Sequence, residues 1–198
     1  MPRKRPSEQR ADTLLGDLRL LASELSARMR REWNRRLPLG DLINDRWQIA
    51  SDYGFGEGTS CYDSVVVIGD VKVGRDCWIG PNVILDGSGG LVLGDWCCIS
   101  AGAQIYSHDT IERYTSLGAK PARKAPTRLG DGVYVGPQAV ISMGVTIGSR
   151  AVIGANSLVR SDIPDGSRAW GTPARVQPAT PTSPGWSAAE PGGHDGRR

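Results

Sequence analysis

Histidines and long apolar runs are scarce in this 198-residue chain. Only two histidines, His108 and His194, are present, so chemistry that needs an imidazole near neutral pH has few candidates. No stretch of about 18 apolar residues occurs, which argues against a membrane-spanning helix. The basic start MPRKRPSEQR is not followed by the apolar run of a secretory signal. We therefore expect a cytoplasmic protein without a membrane span.

The chain also lacks a strong charge of one sign. It has 24 Lys and Arg residues against 21 Asp and Glu, a net charge of +3, which gives no electrostatic case for a nucleic-acid partner. Its four cysteines have no CxxC spacing, and a zinc site of three histidines needs more histidines than the folded part offers. We expect neither nucleic-acid binding nor a metal.

A period of six residues runs through the middle of the chain. Thirteen aliphatic residues recur at this spacing in three phased blocks: Val67, Val73, Ile79, Leu85; Leu93, Ile99, Ile105; Leu129, Val135, Ile141, Ile147, Ile153 and Val159. Seven of them are followed directly by glycine, which indicates a crowded corner without room for a Cβ atom. A short strand closed by a tight turn has this period, whereas a helix does not. Three such hexapeptides form one coil of a β-helix, and coils stack about 4.8 Å apart.

The repeat breaks in two places. The step from Leu85 to Leu93 contains two extra residues, within LDGSGG, and between Ile105 and Leu129 the aliphatic signal disappears. Breaks in a repeat map to loops that often carry function. His108 lies at the base of the longer break, and His194 lies in the C-terminal tail, so His108 is the candidate general base. The loop cations Arg113, Lys120, Arg123 and Lys124 are either solvated charges or contacts for a polyanionic ligand.

The flanking segments complete the expected domain plan. Apolar residues three and four positions apart, from Leu14 to Met29, predict an amphipathic helix, which we expect to cover an open end of the β-helix. The expected fold class is an all-β main domain, a parallel β-helix with an N-terminal α-helical cap and a protruding loop. The expected segments are a basic disordered arm (1–10), the helical cap (11–57), the β-helix (58–175, with its loop at about 107–128) and a disordered tail (176–198).

The repeats resemble those of the hexapeptide-repeat acyltransferases, which include galactoside, maltose, nodulation-factor, serine and xenobiotic acetyltransferases. The resemblance lies in WIGPNVILDGSGG, ISAGAQIYSHDT, VYVGPQAVISMGVTIGSRAVIGANSLVRSDIP and WGTPARV. The lead-in segments WNRRLPLGDL and DYGFGEGTSCYDS are similar to those of bacterial sugar O-acetyltransferases. The chain has His-Asp where the maltose and galactoside enzymes have His-Pro, which leaves the acceptor open.

The resemblance implies that the parallel β-helix is left-handed. It also implies a homotrimer that binds acetyl-CoA between neighbouring prisms, with His108 as the catalytic base. It further assigns Asp86 to acceptor binding, although capping of a turn is an equal alternative. The positions that match cofactor-binding residues are Gly136, Gly154, Ala155, Arg160 and Arg175. The alternative interpretation of Arg160 and Arg175 is that they are merely exposed surface charges.

The function expected from this resemblance is acetyl-CoA-dependent O-acetylation of a small molecule with a hydroxyl group, a sugar being favoured. One alternative is an N-acyltransferase that acts on an amino sugar, and another is an enzyme that modifies an antibiotic or natural product. A noncatalytic trimeric scaffold would use the repeats only for shape, since fold alone does not fix chemistry. A β-helix carbonic anhydrase is disfavoured because it needs three histidine ligands.

Overall fold

The computed structural model describes residues 6–177, with side-chain burial from residue 10 onward. The helices are α1 (Pro6–Trp33), α2 (Leu39–Ile43), α3 (Arg46–Asp52) and α4 (Ile111–Thr115). The strands that precede α4 are β1 (Ser60–Cys61), β2 (Val66–Val73), β3 (Trp78–Ile79), β4 (Ile84–Leu93), β5 (Cys98–Ile99), β6 (Gln104–Ile105) and β7 (His108–Asp109). The later strands are β8 (Arg123–Lys124), β9 (Thr127–Leu129), β10 (Tyr134–Val135), β11 (Val140–Ile141), β12 (Thr146–Ile147), β13 (Val152–Ile153), β14 (Leu158–Val159), β15 (Arg168–Gly171) and β16 (Ala174–Val176).

The strands stack into the three faces of a prism, and successive coils pair in parallel within each face. Face A contains β1, β3, β5, β10, β13 and β15. Face B contains the first halves of β2 and β4 with β6, β11 and β14, and face C contains their second halves with β9 and β12. We name the edges between them AB, BC and CA. The expected left-handed parallel β-helix is confirmed, with about six coils.

The period of six predicts the interior of the prism. Of the thirteen repeating aliphatic residues, twelve are buried, and Val67, in the first coil of face B, is partly buried. Because successive coils pair in register, as Val135 does with Ile153, identical positions stack into apolar columns. Ala103, Ala139 and Ala151 occupy the narrow vertices and are fully buried. The interior therefore holds no room for a larger residue at those positions.

The glycines that follow seven of the thirteen aliphatic residues are required by close approach between coils. At Gly136 a Cβ atom would lie 2.6 Å from the backbone nitrogen of Ala155 in the next coil, well inside normal contact distance. The left-handed backbone of the corner comes two residues later, where Gln138 has a φ of 59° and Asn156 has a φ of 54°. The expectation that these glycines mark corners without space for Cβ is confirmed.

The N-terminal helices differ from the expectation in two respects. First, α1 begins at Pro6, so residues 6–10 are helical, whereas the sequence predicted a disordered arm there. Proline is well accommodated in a first helical turn, because the N–H that it lacks would have no partner within the helix. Residues 1–5 lie outside the described residues, as do residues 178–198 of the predicted tail.

Second, α1 does not cap the prism. Its residues Leu14, Leu18 and Leu21 are 59%, 43% and 46% exposed. The end of the prism is covered instead by the following segment, in which Ala50 of α3 and the nearby Phe55 belong to the buried core. An amphipathic pattern indicates an apolar face without identifying its partner. Within the expected cap of residues 11–57, the end of the prism is therefore covered by α3 and Phe55 and not by the amphipathic helix α1. Within residues 6–177, no helix combines the length and hydropathy needed to cross a bilayer.

We predict that the core column sets the stability of the prism. Ile141 is fully buried on face B, so Ile141→Ala should lower the free energy of unfolding by about 2–5 kcal/mol through lost burial and a residual cavity. The exposed Thr146 provides the matched control, because Thr146→Ala should change it by about 0.5 kcal/mol or less. Urea unfolding followed by circular dichroism measures both, and equal effects would contradict the assigned column.

Candidate active site

Both breaks in the repeat emerge at edge BC. On β2 and β4, Gly69 pairs with Gly87 but Val71 pairs with Leu91. The two extra residues of β4 therefore form a bulge at 88–90, where one residue of β2 faces three of β4. In the next coil the chain leaves face B after β6 and rejoins the prism at β9 on face C. The loop and the bulge are consequently neighbours.

The loop base is a short hairpin. Strand β7 pairs antiparallel with β8, and His108 lies directly opposite Lys124. Helix α4 follows β7 and forms the outer part of the loop, where Ile111 and Tyr114 are exposed. The predicted loop is thus an ordered element, and its hairpin fixes the backbone of His108.

Asp86 and His108 form a direct pair at this base. The Nδ1 atom of His108 contacts Oδ2 of Asp86, and the other carboxylate oxygen accepts a hydrogen bond of 2.8 Å from the backbone N–H of Ser88. The Asp86 side chain is fully buried, whereas that of His108 is 29% exposed. An Asp at Nδ1 holds the imidazole in one orientation and leaves Nε2 as the nitrogen that faces other groups.

Ser107 supports this pair and was not identified from the sequence. Its hydroxyl donates a 2.6 Å hydrogen bond to the backbone oxygen of Asp86 and accepts one of 2.8 Å from the N–H of Gly89. Its own backbone oxygen accepts from the N–H of Ala125. Ser107 thereby ties the bulge to both ends of the loop. The two-residue insertion in LDGSGG was the available signal, because an insertion beside a loop needs polar partners.

The electrostatics favour a charged Asp86. Burial by itself raises the pKa of this carboxyl, but hydrogen bonds from Ser88 and the contact with His108 outweigh it and place the pKa below its ordinary 3.8. A buried carboxylate beside Nδ1 stabilises a positive charge on the ring. The pair can therefore accept a proton at Nε2 and retain it briefly, as a general base must.

The contacts of Asp86 bear on its two predicted roles, acceptor binding and the capping of a turn. The resemblance assigned it to the acceptor, yet both of its carboxylate oxygens are engaged inside the protein. Such an arrangement suits the positioning of His108 better than direct contact with a small molecule. The turn-capping alternative also has support, through the bond from Ser88.

Three of the expected cofactor-binding residues meet at edge AB. Gly136 and Gly154 follow β10 and β13, which are neighbouring strands of face A. Ala155 is exposed, and its backbone N–H makes no hydrogen bond within the described part of the chain. An open N–H beside closely packed glycine backbone suits a thin, extended ligand arm.

The two expected arginines lie apart from each other. Arg175 is on β16, directly opposite Trp170 of β15. A Cβ atom added at Gly154 would lie 2.7 Å from the Cβ of Trp170, so Arg175 lies near edge AB, which we call the glycine edge. Arg160 follows β14 at edge BC, two coils beyond Tyr106 on the His108 edge. One chain therefore splits the predicted site between two edges. Between residues 6 and 177, no cluster of three or more His, Cys, Asp and Glu side chains is placed to hold a metal ion.

Two family models match the coils on either side of the loop. The model described as bacterial transferase hexapeptide (six repeats) matches residues 126–161, and the model of the hexapeptide repeat of succinyl-transferase matches residues 70–107. Both models describe hexapeptide repeats of transferases, so the coils at residues 70–107 and 126–161 are similar to those of that family.

Individual relatives with similar sequences are named as acyltransferases. Galactoside O-acetyltransferase of Escherichia coli K12 is 34% identical over 106 residues, which are 54% of this chain and 42% of that protein. UDP-3-O-acylglucosamine N-acyltransferase of Methylobacterium nodulans is 30% identical over 137 residues, 68% of this chain and 39% of that protein. The chain thus spans only about two fifths of the length of these two relatives.

A solved structure covers more of the molecule. The hexapeptide-repeat acetyltransferase of Vibrio cholerae, determined with acetyl-CoA, has a TM-score of 0.61 and 27% identity, covering 81% of this chain and 86% of the other. Its likeness extends over most of the prism and supports the fold described above.

The lowered pKa of Asp86 predicts a pH-dependent contribution to stability. A carboxyl whose pKa is lower in the folded state stabilises the protein above its ordinary pKa, and this stabilisation disappears as pH falls through the lowered value. Asp86→Asn should therefore reduce the thermal midpoint most between about pH 5 and pH 7, with the difference shrinking below about pH 3.

The exposed carboxylate of Asp70 is the control for this measurement. Asp70→Asn should change the midpoint little across the same range, because exposed charges contribute little. A difference between wild type and Asp86→Asn that stayed constant with pH would contradict the charged, buried state of Asp86.

Proposed function

We propose that the chain is an acetyl-CoA-dependent O-acetyltransferase that acetylates a hydroxyl group of a sugar or a related small molecule. The observation that carries the proposal is the Asp86–His108 pair, a buried carboxylate behind a half-buried imidazole. Such a pair is the arrangement of a general base. The matches to hexapeptide-repeat transferase models and the acetyl-CoA complex of the similar Vibrio cholerae structure support the choice of donor.

In the proposed reaction, Nε2 of His108 takes the proton of the acceptor hydroxyl as that oxygen attacks the thioester carbonyl. Asp86, held at Nδ1, fixes the ring tautomer and stabilises the imidazolium that forms. When the tetrahedral intermediate collapses, the C–S bond breaks and His108 returns the proton to the departing sulfur. Acetyl-CoA supplies the activated acetyl group, and no covalent enzyme intermediate is formed.

We also propose that the working form is a homotrimer with sites between copies. The outward residues of face B at successive levels are Val66, Ile84, Gln104, Val140 and Leu158, of which only Gln104 is polar. Those of face C are Lys72, Val92, Arg128 and Thr146, of which only Val92 is apolar. Burial of an apolar face favours association. Because face B lies between edges AB and BC, its burial against copies would bring the glycine edge of one chain toward the His108 edge of the next.

The second candidate is N-acylation of an amino sugar. The Methylobacterium nodulans relative is named as an N-acyltransferase, and an amine acceptor would use the same proton transfer to His108. A parallel screen of matched hydroxyl and amino sugars separates the two reactions. Turnover restricted to the amino series would replace the O-acetyltransferase proposal.

Titration calorimetry with acetyl-CoA tests the donor. Binding near one molecule per chain is expected, since every copy would contribute one His108 edge and one glycine edge. The noncatalytic scaffold predicts no heat of binding, so its absence at high ligand concentration would overturn the enzymatic proposal.

We predict that His108→Ala lowers turnover by about 10²- to 10⁴-fold, the usual contribution of a general base. Acetyl-CoA affinity should remain within a few-fold of wild type, because the imidazole acts on the acceptor proton. The control is His194→Ala, which removes the other histidine of the chain and should leave turnover unchanged. Release of the CoA thiol provides the assay, and retained activity in His108→Ala would refute the assignment.

A further inference from the structure

We propose that Lys124 binds an anionic group of the acceptor, so that the enzyme acts on a phosphorylated or carboxylated small molecule rather than on a neutral sugar. This inference rests on the proposed function of His108. It concerns the acceptor side of the site, which the comparisons with relatives leave open.

The hairpin places Lys124 beside the base. In the antiparallel pair of β7 and β8, Lys124 is directly opposite His108, and directly opposed side chains leave the same face of a sheet with Cβ atoms about 5 Å apart. The Cβ of Lys124 also approaches Gly89 in the bulge, while His108 contacts Asp86 at the start of the same bulge. Two independent contacts thus put both side chains against one segment.

Lys124 differs from the other cations near the hairpin. Lys120 is 3.3 Å from Glu112, and Arg123 lies 3.9 Å from Glu112 and 4.0 Å from Asp109. Lys124 is exposed and forms no ion pair with any residue from 6 to 177. Lys120 and Arg123 therefore have acidic neighbours, whereas Lys124 and Arg113 of α4 have none among the described residues. Of these two, Lys124 is the one that lies opposite His108 in the hairpin.

The geometry favours the acceptor as the source of the anion. The carbonyl that undergoes attack must lie near Nε2 of His108, and the pantetheine arm separates this carbonyl from the phosphates of CoA. Those phosphates cannot reach a side chain directly beside His108 while the thioester is in place. A phosphate or carboxylate on the acceptor, close to its reacting hydroxyl, can contact Lys124 and His108 together.

The histidine content of the chain allows a direct test. In a His194→Gln background, His108 is the only histidine, so its ring signals in NMR spectra are unambiguous. Titration with inorganic phosphate at constant ionic strength should shift these signals in a saturable manner. Lys124→Gln should weaken phosphate binding about tenfold, as expected for loss of a charged hydrogen-bond donor, and Lys124→Arg should retain most of it.

Lys120→Gln is the matched control, since it removes a neighbouring cation that pairs with Glu112. A saturable shift that depends on Lys124 and not on Lys120 supports the proposal. Absence of a saturable shift in the background protein, or equal weakening by the two variants, would overturn it.

Acetyl-CoA titrations distinguish the two sources of phosphate. Unchanged acetyl-CoA affinity in Lys124→Gln assigns the cation to the acceptor, whereas a tenfold loss would assign it to the donor and refute the proposal. Failure of the function itself is separate, because it would appear as absent acetyl-CoA binding or as full turnover in His108→Ala. Failure of the inference alone would leave both of those results intact.

Discussion

In-register hydrogen bonding between successive coils is the constraint on which the rest of this structure depends. Each strand pairs with the equivalent strand above and below, as β10 pairs with β5 and β13, so every coil must present its inward side chain at the same level. An extra residue on a face would turn all following side chains inside out. Insertions are therefore confined to edges, and both insertions of this chain emerge at edge BC.

That constraint also builds the candidate site. The bulge after Asp86 and the loop after Ile105 occupy neighbouring coils, so one supplies a carboxylate and the other supplies an imidazole. A buried carboxylate is costly unless its oxygens have partners, and here Ser88 and His108 provide them. The fold and the proposed chemistry depend on the same contacts, with Ser107 linking the bulge to the loop.

Much of the fold could be predicted because the period of six gives directly the positions that pack inside the prism. Twelve of the thirteen repeating aliphatic residues are buried, and the loss of period correctly located the loop. The role of α1 could not be predicted, since amphipathicity does not name a partner, and α3 with Phe55 covers the end of the prism. The contacts of Asp86 and Ser107 could not be predicted either, because each joins residues about twenty positions apart in the sequence.

The sequence by itself determined the repeating strand, the inward residues, the edges at which loops can leave and the single histidine available near them. These properties follow from local spacing along the chain, because in-register pairing between coils fixes which residues point inward and which lie at an edge. The tertiary structure decided which side chains meet across coils: Asp86 with His108, Lys124 beside that pair, and the glycine edge apart from the histidine edge. Such pairings depend on how coils and insertions stack in space, which no spacing along one coil specifies.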